Sequence, residues 1–274
     1  MSRTLRLALF GHPVEHSLSP QIHRRFGQQL DIDLSYQAID CTAAEFGPRF
    51  AAFIVGGGSG ANLTVPLKHA GLGVCQQIDA GARAARAINT LVRTDHGWYG
   101  HNTDGPGLLL DLDNLGIPIA GRRILILGAG GATAGILGPL LGAKPALVTV
   151  LNRTGARAEA LAGKFAQRGC IVGGGFEQAD DLSGFDLLLQ ATSSGHDSVL
   201  PPLRRGWLTA EAAAYDLNYG PAHRAFAAWC DENGLACHDG LGMLVGQAAL
   251  AFEIWTGQRP QTAPVQHALR QRNA

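Results

Sequence analysis

Four apolar residues, 124–127, run without a break into Gly128-Ala129-Gly130-Gly131-Ala132, and this junction restricts the fold more than any other segment. A short, wholly apolar run reads as a strand buried on both faces, the glycines as a tight turn, and the residues after them as a helix start. Gly128 permits the turn, Gly130 lets a pyrophosphate approach the backbone, and the helix N-terminus supplies amide donors and the positive end of a dipole. Strand, glycine turn and helix in that order are the context a dinucleotide-binding fingerprint requires, with Gly128, Ala129, Gly130, Gly131 and Ala132 as the cofactor loop. The third fingerprint glycine is absent, because position 133 is threonine. A glycine-rich turn that holds no ligand is the competing reading.

The next strand, 147–151, bears on which dinucleotide would bind. An NAD site usually ends that strand with a carboxylate for the ribose hydroxyls, whereas this chain continues Asn152-Arg153-Thr154 with Arg157 one turn later. Arg153 and Arg157 offer charged donors to a 2′-phosphate, and Asn152 and Thr154 add neutral ones, which favours NADP. Thr154 as a plain helix cap, with both arginines facing solvent, is the alternative.

The rest of the chain keeps the same rhythm. Strands are expected at 5–9, 34–39 and 61–65, with helices at 21–30, from 42 onward through a Thr42–Glu45 capping box, and at 78–87. A hairpin over 88–93 and 98–101 comes next, then a leucine-rich helix leading to Gly121. Later strands are expected at 170–172, 185–189 and 213–216, and helices at 241–257 and 263–272. Alternating strands and helices argue for α/β architecture with mostly parallel sheets covered on both faces. With 274 residues and 46% hydrophobic composition, two domains are expected. Residues 1–104 with 241–274 would form a substrate-binding and catalytic domain, and residues 105–240 a Rossmann-like cofactor domain.

The segment Asn62-Leu63-Thr64-Val65-Pro66-Leu67-Lys68 carries the chemistry. Three lysines stand against nineteen arginines, and lysine, unlike arginine, can release a proton near neutrality when its surroundings shift it. Lys68 comes just after a proline at an expected helix start, where the helix dipole disfavours the ammonium form. An ordinary surface lysine fits the segment equally well. Asp104, in Asn102-Thr103-Asp104-Gly105 between the two expected domains, is placed to face both Lys68 and the cofactor; capping the helix that begins at Gly105 is its bland role. Ser17 and Ser19, in the loop after the first strand, could grip a carboxylate, although Ser19 also reads as an N-cap. Asn62, Thr64, Asn89 and Asn102 are short polar residues near strand ends.

Twenty-two acidic residues balance twenty-two basic ones, so neither nucleic acid nor an anionic membrane is an expected partner, and a small molecule is. Five scattered cysteines without CxxC spacing argue against a disulfide framework or structural zinc, and ten histidines lack a metal-ligand arrangement. No signal-length or membrane-spanning apolar run is present, so a cytoplasmic protein is expected, as monomer or homodimer.

Taken together, the ordered motifs resemble the shikimate dehydrogenase family over nearly the whole chain. They are His16-Ser17-Leu18-Ser19-Pro20, Gly60 to Lys68, Ala87-Ile88-Asn89-Thr90, Asn102 to Gly105, the glycine loop, and Asn152-Arg153-Thr154 with Arg157. Ala191-Thr192-Ser193-Ser194-Gly195 and Asp239 to Gln247 complete the series. The resemblance implies reversible NADPH-dependent reduction of 3-dehydroshikimate to shikimate, on the route to chorismate and the aromatic amino acids. It implies Lys68 and Asp104 as the catalytic pair, Ser17 and Ser19 as carboxylate binders, and Asn62, Thr64, Asn89, Tyr219 and Gln247 as further substrate contacts. Thr192, Leu217 and Gly240 carry over as cofactor contacts. Departures include Leu67 for phenylalanine, His101 for aspartate, and Asn218, which could tune affinity or specificity. A quinate/shikimate dehydrogenase with broader substrate and cofactor use is the nearest rival, and a non-catalytic NADPH sensor is a more distant one.

Overall fold

The computed structural model describes residues 4–192 and 199–273. In chain order the elements are β1 (Leu5–Gly11), α1 (Ser19–Leu30), β2 (Leu34–Asp40), α2 (Phe46–Val55), β3 (Gly60–Leu63), β4 (Gln77–Ile78), α3 (Ala80–Ala85), β5 (Thr90–Thr94), β6 (Gly97–His101) and α4 (Asp104–Asn114). The second half holds β7 (Arg123–Leu127), α5 (Gly131–Gly142), β8 (Leu147–Asn152), α6 (Gly155–Phe165), β9 (Ile171–Gly175), β10 (Phe185–Gln190), β11 (Leu208–Asp216), α7 (Arg224–Glu232), β12 (Ala236–His238), α8 (Leu241–Thr256) and α9 (Ala263–Asn273). The chain divides into two compact units: one runs to Gly107 and resumes at Leu244, the other is Leu108–Met243.

In the first unit the sheet order is β2-β1-β3-β5-β6-β4. Strands β2, β1 and β3 run parallel, β5 reverses against β3, β6 reverses again, and β4 runs parallel to β6. The period of two along β1 divides its side chains between two cores. Ala8 and Phe10 join Phe46, Phe50 and Phe53 on one face, while Leu7 and Leu9 join Val14 and Tyr36 on the other. The three phenylalanines are spaced i, i+4, i+7 on α2 and so share one helical stripe. Each meets the Phe10 ring edge-on at 5.6–5.7 Å, a geometry worth about 0.5–1.5 kcal/mol per pair beyond area burial.

The second unit holds six parallel strands in the order β12-β11-β10-β7-β8-β9. Counted from β7 this is the 3-2-1-4-5-6 order of the Rossmann fold, with its switch point between β7 and β10. Ile124, Leu125, Ile126 and Leu127 are all fully buried, as the unbroken apolar run requires of a central strand covered on both faces.

Most element types match the sequence reading, and the differences are local. Residues 78–87 form β4 and a shorter α3, because the Asp79 carboxylate caps the Ala82 amide at 2.6 Å and starts the helix there. Strands β4 and β12 are two and three residues long, too short to show periodicity. Helix α4 stops at Asn114, and Gly116 lies just beyond it at φ +69°.

Candidate active site

In the first unit, β1 and β3 end, β5 begins and β6 ends at the same edge of the sheet, because β5 and β6 each reverse direction. Four neighbouring strands therefore deliver side chains to one place. Ser17 lies on the loop from β1, Ser19 is the first residue of α1 with Leu18, not Ser19, at the N-cap, Asn62 and Thr64 are at the end of β3, Asn89 before β5, and Asp104 after β6.

Lys68 is not at an α-helix start, contrary to the sequence reading. The chain turns over residues 65–69, and only a four-residue 3-10 helix comes after it, Ala70–Gly73. The Lys68 carbonyl, which an α-helix would pair within its own ladder, accepts from the Ile88 amide at 2.7 Å, and Gly71 and Gly73 are poor helix formers. A helix dipole therefore has no part at Lys68. The Asp104 carboxylate does: Lys68 Nζ donates to Asp104 Oδ2 at 2.7 Å, with the lysine side chain 25% exposed and the aspartate 9%. An ammonium has three donors, and Lys68 has no second acceptor among the described residues.

Asp104 opens α4 but does not cap it. Asn102 Oδ1 takes the Asp104 amide at 3.0 Å, which leaves the carboxylate for Lys68 and for Asn89 Nδ2 at 2.9 Å. Asn89 is oriented by the Thr103 amide, which donates to its Oδ1 at 2.9 Å. Gln247 Oε1 accepts from Asn89 Nδ2 and Thr103 Oγ1, each at 3.3 Å. Helix α8 comes this close because Gly107 has no side chain: a Cβ there would lie 2.6 Å from the Gln247 nitrogen. Ser17 Oγ accepts the Ser19 amide at 3.2 Å and keeps its own hydrogen to donate. Asn62 is engaged throughout, accepting from Tyr36 and donating to Thr90 and the Asn89 carbonyl. Sequence reasoning missed Tyr36, and quoted Thr90 and Thr103 only as parts of motifs.

In the second unit the glycine loop lies at the end of β7. Gly128 sits at φ +105°, and a Cβ there would meet the Ala191 carbonyl oxygen at 3.0 Å, so glycine is required on two counts. Gly130 and Gly131, at the start of α5, have open space around them. Thr133 stands where the fingerprint has its third glycine and donates to the Gly128 carbonyl at 2.7 Å, closing the loop on itself. Asn152, expected as a phosphate ligand, holds the loop: its Oδ1 accepts the Ala129 amide at 3.2 Å, and its Nδ2 donates to the Thr154 carbonyl at 3.0 Å. Thr154 is the α6 N-cap residue but makes no side-chain cap. Arg153 and Arg157 are exposed, and neither guanidinium has a partner among the described residues.

The ends of β10, β11 and β12 bring Thr192, Leu217 and Gly240 together. Asn218 Nδ2 donates to the Thr192 carbonyl at 3.0 Å, the Gly240 amide donates to the Asn218 carbonyl at 2.9 Å, and a Cβ on Gly240 would overlap the Leu217 carbonyl. Asn218, a departure from common family sequence, is thus a tie between strand ends. Tyr219, half-buried in the same segment, has its phenol raised by burial. Ser193, Ser194 and Gly195 lie outside the described residues.

Asp216 anchors this segment, accepting from the Asn218 amide and Nδ2 on one oxygen and facing His223 Nδ1 at 3.1 Å on the other. Burial alone would lower the His223 imidazole, but the hydrogen bond with Asp216 and the nearby Cys237 thiol raise it from 6.5 to about 10. A raised folded-state value means that protonation stabilises the fold fully below pH 6.5, less as pH rises, and not at all above about 10. Melting curves taken from about pH 6 to about pH 10.5 should show a steeper loss for the native chain than for His223→Gln, with the two converging at the alkaline end. Parallel curves would remove the charged His223–Asp216 pair from the account.

Three family models match in order: the shikimate dehydrogenase substrate-binding domain over residues 9–91, shikimate/quinate 5-dehydrogenase over 112–201, and the shikimate 5′-dehydrogenase C-terminal domain over 240–270. The shikimate dehydrogenase (NADP(+)) of Xanthomonas campestris pv. campestris is 46% identical over 98% of this chain and 96% of that protein. Among solved structures, shikimate 5-dehydrogenase from Thermus thermophilus, in complex with NADP(H) and shikimate, superposes with a TM-score of 0.85 at 36% identity, covering 98% of this chain and 99% of that one. An Ael1 enzyme from Pseudomonas putida does so with a TM-score of 0.89 at 38% identity, covering 97% and 98%. A Rossmann-ordered unit with an open glycine loop, and a second α/β unit with a lysine–carboxylate pair, define a two-unit oxidoreductase. The chain belongs to the shikimate dehydrogenase family.

Proposed function

We propose that the protein catalyses the reversible NADP-linked interconversion of 3-dehydroshikimate and shikimate, with Lys68 and Asp104 as the catalytic pair. The observation that carries this reading is the Lys68 ammonium, held by Asp104 at 2.7 Å with no other acceptor among the described residues. The glycine loop fits a dinucleotide, since Gly130 and Gly131 leave the backbone open, and Arg153 and Arg157 fit a 2′-phosphate. NADPH, when bound, supplies the hydride. Lys68 gives a proton to the C3 oxygen in reduction and takes the hydroxyl proton in oxidation. Asp104 keeps the lysine in place and accepts a substrate hydroxyl. Ser17 and Ser19 donate to the carboxylate, Thr64, Asn89 and Gln247 bind hydroxyls, and Tyr219 is a further substrate contact. Asn62 holds the frame behind them.

Among the described residues no helix is long and apolar enough to cross a membrane, and all five cysteines are free thiols; with the small-molecule substrate, these support a cytoplasmic biosynthetic enzyme. Initial rates with shikimate and quinate, each against NADP⁺ and NAD⁺, test the assignment. Shikimate with NADP⁺ is expected to dominate by orders of magnitude. Comparable rates with quinate or NAD⁺ would move the protein to the broader quinate/shikimate branch, and no turnover with any pair would leave a nucleotide-binding sensor.

A further inference from the structure

The hydrogen bonds around Asp104 continue into the first unit as far as Tyr36. The Tyr36 hydroxyl donates to Asn62 Oδ1 at 2.7 Å, and Asn62 Nδ2 donates to Thr90 Oγ1 at 3.1 Å. Thr90 passes its single hydroxyl hydrogen to Asn89 Oδ1 at 2.9 Å, and Asn89 Nδ2 donates to Asp104 Oδ1 at 2.9 Å. Lys68 holds the other oxygen of that carboxylate. From Tyr36 to Asp104 every link donates in the same direction. Every member is buried, so solvent does not substitute for a missing partner.

We propose that Tyr36 and Thr90 are positioning residues for the catalytic pair, completing a buried, one-directional hydrogen-bond chain that ends on the Asp104 carboxylate. The proposal rests on the reading of Lys68 and Asp104 given above. The two ends of an asparagine amide have nearly the same shape, and only the neighbours decide which points where. Asn62 meets a phenol on one side. Burial pushes that phenol well above its ordinary value, with Ser19 opposing, so it stays protonated and presents a donor. The Asn62 NH₂ is held by the Asn89 carbonyl, which can only accept, at 3.0 Å, so its oxygen faces Tyr36, the phenol donates to it, and the NH₂ also reaches Thr90. Thr90, having accepted, has one hydrogen left, and it goes to the Asn89 oxygen. The Thr103 amide on Asn89 Oδ1 turns the Asn89 NH₂ toward Asp104, and Thr90 adds a second donor to that oxygen. Aligned links polarise one another, so a break at one end is felt at the other.

Removal of the Tyr36 hydroxyl alone leaves the packing in place. The ring stacks on His23 at 4.5 Å and 11° between planes, and lies 6.4 Å from Trp255, contacts that phenylalanine retains. The test measures kcat, KM for shikimate and KM for NADP⁺, together with the side-chain amide ¹H–¹⁵N resonances of Asn62 and Asn89, in Tyr36→Phe, Thr90→Val, Thr90→Ser and the Tyr36→Phe/Thr90→Val double variant. Tyr36→Phe and Thr90→Val should each lower kcat about tenfold, the scale of one lost buried hydrogen bond, with KM for NADP⁺ unchanged. Thr90→Ser, which keeps the hydroxyl, should restore kcat. The double variant should lose no more than the worse single one, as links of one chain must. Wild-type kcat in Tyr36→Phe, or additive losses in the double variant, would overturn the proposal. If the native chain itself does not turn over shikimate, the catalytic reading fails and the resonances still decide. Movement of the Asn89 NH₂ signals in Tyr36→Phe sustains a continuous chain, and unmoved signals overturn it.

Discussion

Lys68→Ala is expected to lower kcat by about 10²- to 10⁴-fold, the range of a positioned general acid, while the affinity for NADP⁺ is largely kept. Asp104 is the only described partner of the lysine, so the substitution removes the proton donor and releases one carboxylate oxygen. Asp104 keeps its bond from Asn89, which limits the structural damage. Lys68→Arg separates charge from proton transfer. The guanidinium can pair with Asp104 but does not release a proton near neutrality, so kcat should stay almost as low as in the alanine variant. Steady-state rates alongside a fluorescence titration with NADPH would show both effects. Near-normal turnover in Lys68→Ala would end its assignment as proton donor.

The second large effect is expected at the cofactor. The double variant Arg153→Ala/Arg157→Ala should raise KM for NADP⁺ by about 10²-fold or more and leave KM for NAD⁺ nearly unchanged. Hydrogen bonds to a charged group contribute roughly 1.5–3 kcal/mol each, discounted here because both guanidiniums begin in water. Both arginines are exposed and without an internal partner among the described residues, so the fold should lose no more than about 0.5 kcal/mol. The ratio of the two KM values separates this reading from a general electrostatic effect, in which both cofactors would weaken together.

Sequence reading succeeded where a residue's job depends on its near neighbours. The strand 124–127 declared itself by four consecutive apolar residues and the glycines after them, and the Rossmann order comes from repeating that unit. The Lys68–Asp104 pair came from residue type and the family resemblance, and the structure places the two groups together, although the helix dipole invoked for Lys68 was wrong. That error has a physical source. Pro66 before Lys68 looks like a helix opening, but Lys68's carbonyl bonds across to Ile88, a contact invisible to a window along the chain. Asn152 has a role of the same hidden kind: beside two arginines it reads as a phosphate ligand, and the fold also brings the Ala129 amide to it from the loop after the preceding strand. Tyr36 was illegible because nothing in a lone strand tyrosine announces that its hydroxyl meets an asparagine twenty-six residues on. Thr133 shows the converse: a missing glycine looked like a weakness in the fingerprint, and its hydroxyl proves to fasten the loop.

Asn62 and Thr90 are directly opposed partners where β3 meets β5, and their side chains are bonded across the two strands. Side chains alternate along a strand, so sliding β5 by one residue would turn the whole set to the opposite face of the sheet. The pairing has three matched positions, and the middle one, Ala61 opposite Leu91, is buried in the hydrophobic core and demands the same alignment. The polar contact inside the site therefore also proofreads assembly: a misaligned sheet leaves two buried polar side chains without partners. Catalytic competence and correct strand alignment are, in this protein, one property observed in two ways.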